Sequence, residues 1–226
     1  MKLPFSVDEF FHVFKVYNES VWPAQLVLYA LAIATAIIAL MGGQKSSQIV
    51  FFILAIFWIW AGSIYHIEYF SAINNMAYFF GSIFIVQGII FLYFGVFRIK
   101  VEFKFQPQIS HILGVVLIVY SLLIYRVIGY YQGHIFPEAP TFGVPCPTTI
   151  FTFGILLLTI HRVPWYMFII PFLWSLVGFS AAVHLSVSED YGLVVAGILA
   201  TVLLLFNKKM APKRSGQARS QNQTAL

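Results

Sequence analysis

The chain has 226 residues, of which 60% are hydrophobic and 9% are charged, and its mean hydropathy is +0.87. This composition excludes a soluble globular domain, in which about 25% of the residues are charged. The net charge of +5 lies mainly in the connections between apolar stretches and in the C-terminal tail, so it indicates contact with anionic lipid headgroups and not nucleic-acid binding.

Residues 1–20 are predicted to form an amphipathic helix in the outer interface of a membrane. Ser6 and Glu9 have the spacing of a capping box, which marks the start of a helix. Apolar residues then recur every three or four positions, as they do on one face of a helix. They are Val7, Phe10, Phe11, Phe14 and Tyr17. Such a helix either covers the bundle behind it or only anchors the N-terminus.

Seven apolar stretches follow, and each is predicted to be a transmembrane helix. A helix needs about 20 apolar residues to cross the ~30 Å of hydrocarbon in a bilayer. The stretches are Val21–Met41, Ile49–Phe70, Met76–Phe97, Ile109–Tyr131, Cys146–Ile160, Pro164–Ser186 and Tyr191–Phe206. The fifth and the seventh are shorter, so they require a locally thinner bilayer or buried ends. The fold predicted for residues 21–206 is therefore an all-α membrane domain of seven transmembrane helices.

Lysine and arginine occur on alternate sides of the predicted membrane. They follow the first, third, fifth and seventh stretches, as Lys45, Arg98, Lys100, Lys104, Arg162, Lys208, Lys209, Lys213, Arg214 and Arg219. One of the other connections is acidic and carries Glu189 and Asp190. Because cytoplasmic loops are rich in basic residues, the N-terminus is predicted outside and the C-terminus in the cytoplasm. Residues 207–226 are polar, which predicts a disordered cytoplasmic tail.

The order of the stretches predicts a 3+1+3 parallel repeat, in which the fourth helix links two triplets. Tryptophan, glycine and histidine follow one another in the middle helix of each triplet, as Trp58, Gly62 and His66 and as Trp174, Gly178 and His184. Chance similarity between apolar helices is the alternative that the sequence leaves open. The layout resembles the SWEET sugar transporters and their PQ-loop relatives, and an architectural likeness implies no function by itself.

Polar residues inside membrane helices are costly and often functional, so each is a candidate site residue. Those predicted near the outer ends are His66, Glu68, Arg126 and His184. They are candidates for binding a substrate in an outward-facing polar vestibule, where Gly62 leaves space beneath His66 and where Glu68 pairs with Arg126. The alternative is simple anchoring at the interface. Gln87 is predicted near the midplane, where it either joins helices or contacts a substrate.

The most unusual local sequence places the only cysteine between two prolines. Pro147 is predicted at the first position of a helix, with Cys146 as its cap near the positive end of the helix dipole. Cys146, His66 and His184 are residue types that bind zinc or copper, so they are candidate ligands of a metal site. The alternative is a capping turn with a buried thiol.

Three parts of the sequence carry a family resemblance. They are Tyr17–Glu19 with Trp22–Gln25, then Tyr65-His66 leading into Phe70 and Ile73-Asn74, and Pro145–Gly154. In these segments the chain resembles bacterial membrane proteins grouped as domain of unknown function 6064. The resemblance implies a multi-pass protein of the bacterial cytoplasmic membrane, and it brings no activity, substrate or cofactor.

The predicted function is binding or transport of a small solute or ion through the outward-facing vestibule. One alternative is a membrane-embedded metal-dependent enzyme with Glu68 as its general base, and another is an accessory subunit of a membrane complex. The sequence does not decide whether the chain is an enzyme. The expected partners are membrane lipids, and a homo-oligomer or a larger membrane complex is left open.

Overall fold

The protein is built from α-helices, as its composition predicts. A computed structural model describes residues 4–98 and 101–206, and within these ranges it contains helices joined by short connections and no sheet. The helices are α1 (Val7–Val21), α2 (Ala24–Met41), α3 (Lys45–Ala72), α4 (Ala77–Arg98), α5 (Ile109–Tyr131), α6 (Pro145–Leu157), α7 (Ile169–Leu185) and α8 (Ser188–Phe206). The predicted tail, residues 207–226, lies outside the described residues.

Each of α2 to α8 corresponds to one of the seven predicted apolar stretches. Within the described ranges, five helices are long and apolar enough to cross a membrane, namely α2, α3, α4, α5 and α8. The other two, α6 and α7, have 13 and 17 residues. The prediction started α7 at Pro164, but Trp165–Met167 form a 3₁₀ turn after this proline and the helix begins only at Ile169.

The short helix α6 occupies the centre of the bundle. Its residues are buried without interruption from Pro147 to Leu157. Helices around it instead expose large apolar side chains, such as Leu26 of α2, Ile112 of α5 and Leu205 of α8. In water such a surface is unfavourable, whereas in a bilayer it faces lipid. The central position of α6 explains how a helix of 13 residues fits here, because its neighbours cover both of its ends.

Glycines let neighbouring helices approach closely. A Cβ atom added to Gly62 of α3 would lie 2.6 Å from the carbonyl oxygen of Gly81 in α4. A Cβ atom added to Gly114 of α5 would lie 2.7 Å from the carbonyl oxygen of Gly154 in α6. Such small-residue contacts are typical of helix packing in membranes. The prediction that Gly62 leaves space beneath His66 is therefore wrong, because α4 fills this space.

The N-terminal helix α1 begins with the capping box that the sequence indicated. The backbone N–H of Ser6 donates to the Glu9 carboxylate over 2.7 Å, and the backbone N–H of Glu9 donates to the Ser6 hydroxyl over 3.2 Å. Further along α1, Phe14 and Tyr17 are buried, and both rings pack against Tyr65 of α3. Helix α1 thus covers one end of the bundle, and this end carries the candidate site.

Candidate functional site

Two adjacent carboxylates are buried at the start of α8. The exposed fraction of Glu189 is 0% and that of Asp190 is 6%. Acidic side chains are almost never fully buried unless they have partners. Neither residue is among the predicted site residues, although their acidic connection indicated the orientation of the chain. The signal was present, since two ionisable residues directly precede an apolar stretch of membrane length.

Asp190 is held by side chains from two other helices. The Tyr125 hydroxyl of α5 donates to Asp190 Oδ1 over 2.5 Å. The thiol of Cys146 lies beside the same carboxyl group and beside the indole of Trp174 in α7. Cys146 reaches this position because α6 begins at Pro145, which places the cysteine in the first turn. The prediction that Cys146 caps the helix is therefore wrong by two positions, since Val144 is the capping residue and Pro145, not Pro147, is the first helical residue.

Glu189 is paired with a histidine from the connection between α5 and α6. Nδ1 of His134 and Oε1 of Glu189 are 2.7 Å apart. The second oxygen, Oε2, has no hydrogen-bond partner among the residues that the structure describes. Gly129 makes room for this carboxylate, because an added Cβ atom would lie 3.0 Å from Oε1. We refer to Glu189, Asp190, His134, Tyr125 and Cys146 as the acidic cluster.

His134 connects the acidic cluster to the surface. Its side chain is 13% exposed and lines a cleft of about 350 Å³ between α1 and residues 133–138. The other residues that line this surface cleft are Asp8, Phe11, His12, Gly133 and Glu138. The ring of Phe11 lies against the imidazole, with centroids 4.4 Å apart. One face of His134 is therefore reached from the cleft, while its Nδ1 atom faces Glu189.

A hydrogen-bond network fixes the wall of the surface cleft. The Asn18 amide donates to the carbonyl oxygens of Pro137 (2.6 Å) and Ala139 (2.8 Å), and Thr141 donates to Asn18 Oδ1 over 2.8 Å. The Gln25 amide in turn donates to the Asn18 carbonyl over 2.9 Å. These contacts tie the turn between α1 and α2 to residues 137–141. Asn18 and Gln25 belong to the first segment of the family resemblance, and these hydrogen bonds give both polar residues a structural role.

His66, a predicted site residue, is enclosed by aromatic rings. Its exposed fraction is 1%, and neither ring nitrogen has a hydrogen-bond partner within the described ranges. The rings of Phe84 and Trp174 lie 4.9 and 5.1 Å from the imidazole, measured between centroids. His66 thus contacts Trp174, which also lies beside Cys146, but it does not line an open vestibule.

The other predicted outer residues stay apart from the acidic cluster. Glu68 and His184 are exposed, and His184 Nδ1 donates to the Ser180 carbonyl of its own helix over 2.6 Å. Arg126 donates to the Pro140 carbonyl over 3.5 Å. Among the ion pairs of the described residues there is none between Glu68 and Arg126, so the predicted pair does not form.

The structure does not bring the predicted metal ligands together. Cys146 lies inside the bundle beside Asp190, whereas His184 is exposed and bonded to its own helix. In the part of the chain that the structure describes, no three His, Cys, Asp or Glu side chains are close enough to hold a metal ion. The donor set required for the zinc or copper site of the sequence analysis is therefore not assembled here.

Gln87 joins two helices. The side chain is fully buried, and its amide N–H donates to the carbonyl of Met167, in the turn before α7, over 3.1 Å. Its Oε1 atom has no partner among the described residues. The interaction with Met167 is of the kind that links membrane helices, one of the two roles considered for this residue.

When the chain is compared with known protein families, a match covers the residues described above. The model of a family described as a family of unknown function (DUF6064) matches residues 7–215. This range includes α1, every residue of the acidic cluster and the whole of α8. No curated protein and no solved structure matches the chain.

Proposed function

Since the chain belongs to DUF6064, a family of unknown function, we propose a function from its own residues: it is a multi-pass membrane protein that binds and transports a small cation at the acidic cluster. The sequence predicted transport of a small solute or ion, and the proposal now specifies that the transported species is a cation. It also moves the site from the exposed side chains of Glu68 and His184 and the half-buried side chain of Arg126 to the buried carboxylates of Glu189 and Asp190.

The burial of both carboxylates is the observation that carries the proposal. Glu189 and Asp190 are adjacent and enclosed by apolar helices, and His134 is the one basic side chain that pairs with them among the described residues. When both carboxylates are ionised, the site carries net negative charge even with His134 protonated. Within a low-dielectric surrounding this charge repels anions and favours a cation.

The proposed membrane topology places the cluster at the outer side. In this arrangement α2 to α8 all cross the cytoplasmic membrane, with the N-terminus outside and the C-terminus in the cytoplasm. Support comes from the alternating basic residues and from the central position of α6, whose ends need not reach either headgroup region. The acidic cluster lies at the start of α6 and the start of α8, both at the predicted outer end.

The 3+1+3 repeat is part of the same proposal. Gly62 of α3 packs against α4, and Gly178 of α7 packs against Leu193 of α8, so each glycine faces the helix that follows. These contacts support an equivalence of α3–α4 with α7–α8.

Flux measurements in proteoliposomes test the proposed function. The full chain is reconstituted, and uptake of protons, sodium, potassium and methylammonium is measured for wild type and for Asp190→Asn. We expect flux of at least one cation in wild type and a loss of about tenfold or more in the variant, since tenfold corresponds to only about 1.4 kcal/mol. Glu68→Gln is the matched control, because it removes an exposed carboxylate and should leave the flux unchanged.

Two results would contradict this function. One is wild-type flux equal to that of empty liposomes for all four cations. The other is an equal loss of flux in Asp190→Asn and Glu68→Gln, because the effect would then follow the overall charge of the protein and not the buried site.

A further inference from the structure

We propose that His134 transfers protons between the surface cleft and Glu189, so that the proton is a cation that the acidic cluster binds. The inference rests on the proposed function and names the ion and its access route. It is drawn from the position of one imidazole between the surface cleft and a buried carboxylate.

The two sides of the His134 ring face different environments. Nδ1 lies 2.7 Å from Glu189 Oε1, and Glu189 is fully buried, whereas the ring itself lines the surface cleft. An imidazole in this position can accept a proton from water at Nε2 while it gives up the proton on Nδ1 to Oε1. The ring is then neutral again in its other tautomer, and one proton has moved inward.

Charged groups around the cleft favour protons over anions. Asp8 of α1 and Glu138 of the α5–α6 connection both line the cleft. His12, also on α1, lines it as well. The Phe11 ring packs on His134 and limits contact between the imidazole and bulk water. Access to Glu189 from this side therefore leads past His134.

Inside the bundle, the groups facing the two carboxylates come from several helices. The Tyr120 hydroxyl of α5 donates to the backbone carbonyl of Glu189 over 2.7 Å, and Tyr125 donates to Asp190. Cys146 of α6 lies beside Asp190. Glu189 Oε2 has no partner in the described part of the chain, so no donor on that side stabilises the ionised carboxylate, and this favours arrival of a proton at Oε1.

The single cysteine offers a readout that does not depend on transport. Cys146 lies beside Asp190, so its S–H stretching band should shift when the charge of the carboxylate pair changes. Full-length protein in lipid vesicles is subjected to a pH jump, and the shift is followed by time-resolved infrared spectroscopy. His134→Gln keeps a side chain that can hydrogen-bond to Glu189 but cannot carry a proton. We expect it to slow the shift by about tenfold or more.

A rescue experiment separates proton transfer from a structural effect. His134→Ala enlarges the surface cleft, and added imidazole should restore most of the rate, which a misfolded protein would not allow. His184→Ala is the control, because it removes an exposed histidine that bonds to the Ser180 carbonyl of its own helix and should keep the wild-type rate.

The outcomes distinguish this inference from the proposed function. An unchanged rate in His134→Gln would overturn the access route, although cation flux that depends on Asp190 would still support the function. Slowing that imidazole does not relieve would also overturn it, because His134 would then act by holding the structure. A wild-type band that does not respond to pH at all would show that the cluster does not bind protons.

Discussion

At the scale of single residues, Asp190 depends on one short hydrogen bond. The Tyr125 hydroxyl donates to its Oδ1 atom over 2.5 Å, and both side chains are buried. Removing a donor to a buried charged group leaves that group without its partner, which costs more than the hydrogen bond itself contributes. Tyr125→Phe removes this donor and keeps the ring, so it changes little besides the hydrogen bond.

We expect Tyr125→Phe to lower the free energy of unfolding by about 1–3 kcal/mol. Thermal and denaturant unfolding of the protein in detergent measure this loss. Tyr130→Phe is the control, because Tyr130 is 64% exposed on the same helix and the same deletion there should have almost no effect. Equal stability of the two variants would mean that Asp190 does not rely on Tyr125.

The acidic cluster also shows what the sequence could not reveal about single residues. Tyr125 and Asp190 are separated by 65 positions, and His134 and Glu189 by 55. No local spacing relates such residues, so their contact follows only from the packing of α5, α6 and α8. Cys146 was selected for its flanking prolines, and its neighbour Asp190 could have been selected as an ionisable residue at a membrane helix. Their association required the structure.

At the scale of elements, α1 is a separate helix whose start depends on an ionised carboxylate. The backbone N–H and the hydroxyl of Ser6 both donate to Glu9, and these bonds hold the pKa of Glu9 below its usual range. A carboxyl group with a lowered pKa in the folded state stabilises that state above its unfolded pKa. This contribution is lost as the pH falls through the lowered value.

We therefore expect the first turn of α1 to open in acid before the helices of the bundle do. Hydrogen exchange of the α1 amides, corrected for the intrinsic rate at each pH, measures this between about pH 6 and about pH 3, a range that spans ordinary carboxyl pKa values. Glu9→Gln is the comparison, because glutamine also completes a capping box but does not titrate. If both proteins respond to acid alike, Glu9 is not responsible.

The extent of the helices was largely predictable, and the exceptions have local causes. Long apolar runs indicated α2 to α5 and α8, because hydropathy over about 20 residues is a strong signal. The start of α7 was missed since hydropathy alone does not register that Pro164 is followed by a 3₁₀ turn. The packing of Gly62 against α4 was also missed, because a glycine on a helix face does not show which neighbour approaches it.

At the scale of the whole molecule, the orientation of the bundle decides which solution the surface cleft faces. The cleft is lined by α1 and by the α5–α6 connection, so both must lie outside the cell for His134 to receive protons from there. Exposed residues at or near the helix ends on each side can be replaced by cysteine. On the predicted outer side these are Glu19 and Gln132, and on the cytoplasmic side Lys45 and Lys104.

We expect Glu19→Cys and Gln132→Cys to react in intact cells with a thiol reagent that cannot cross membranes. Lys45→Cys and Lys104→Cys should react only after the cells are permeabilised, because basic connections stay in the cytoplasm. Each variant also carries Cys146→Ser, so that the introduced thiol is the one cysteine present. Labelling of Gln132→Cys only after permeabilisation would put the cleft on the cytoplasmic side. His134 would then face the cytoplasm, and protons would reach Glu189 from inside the cell.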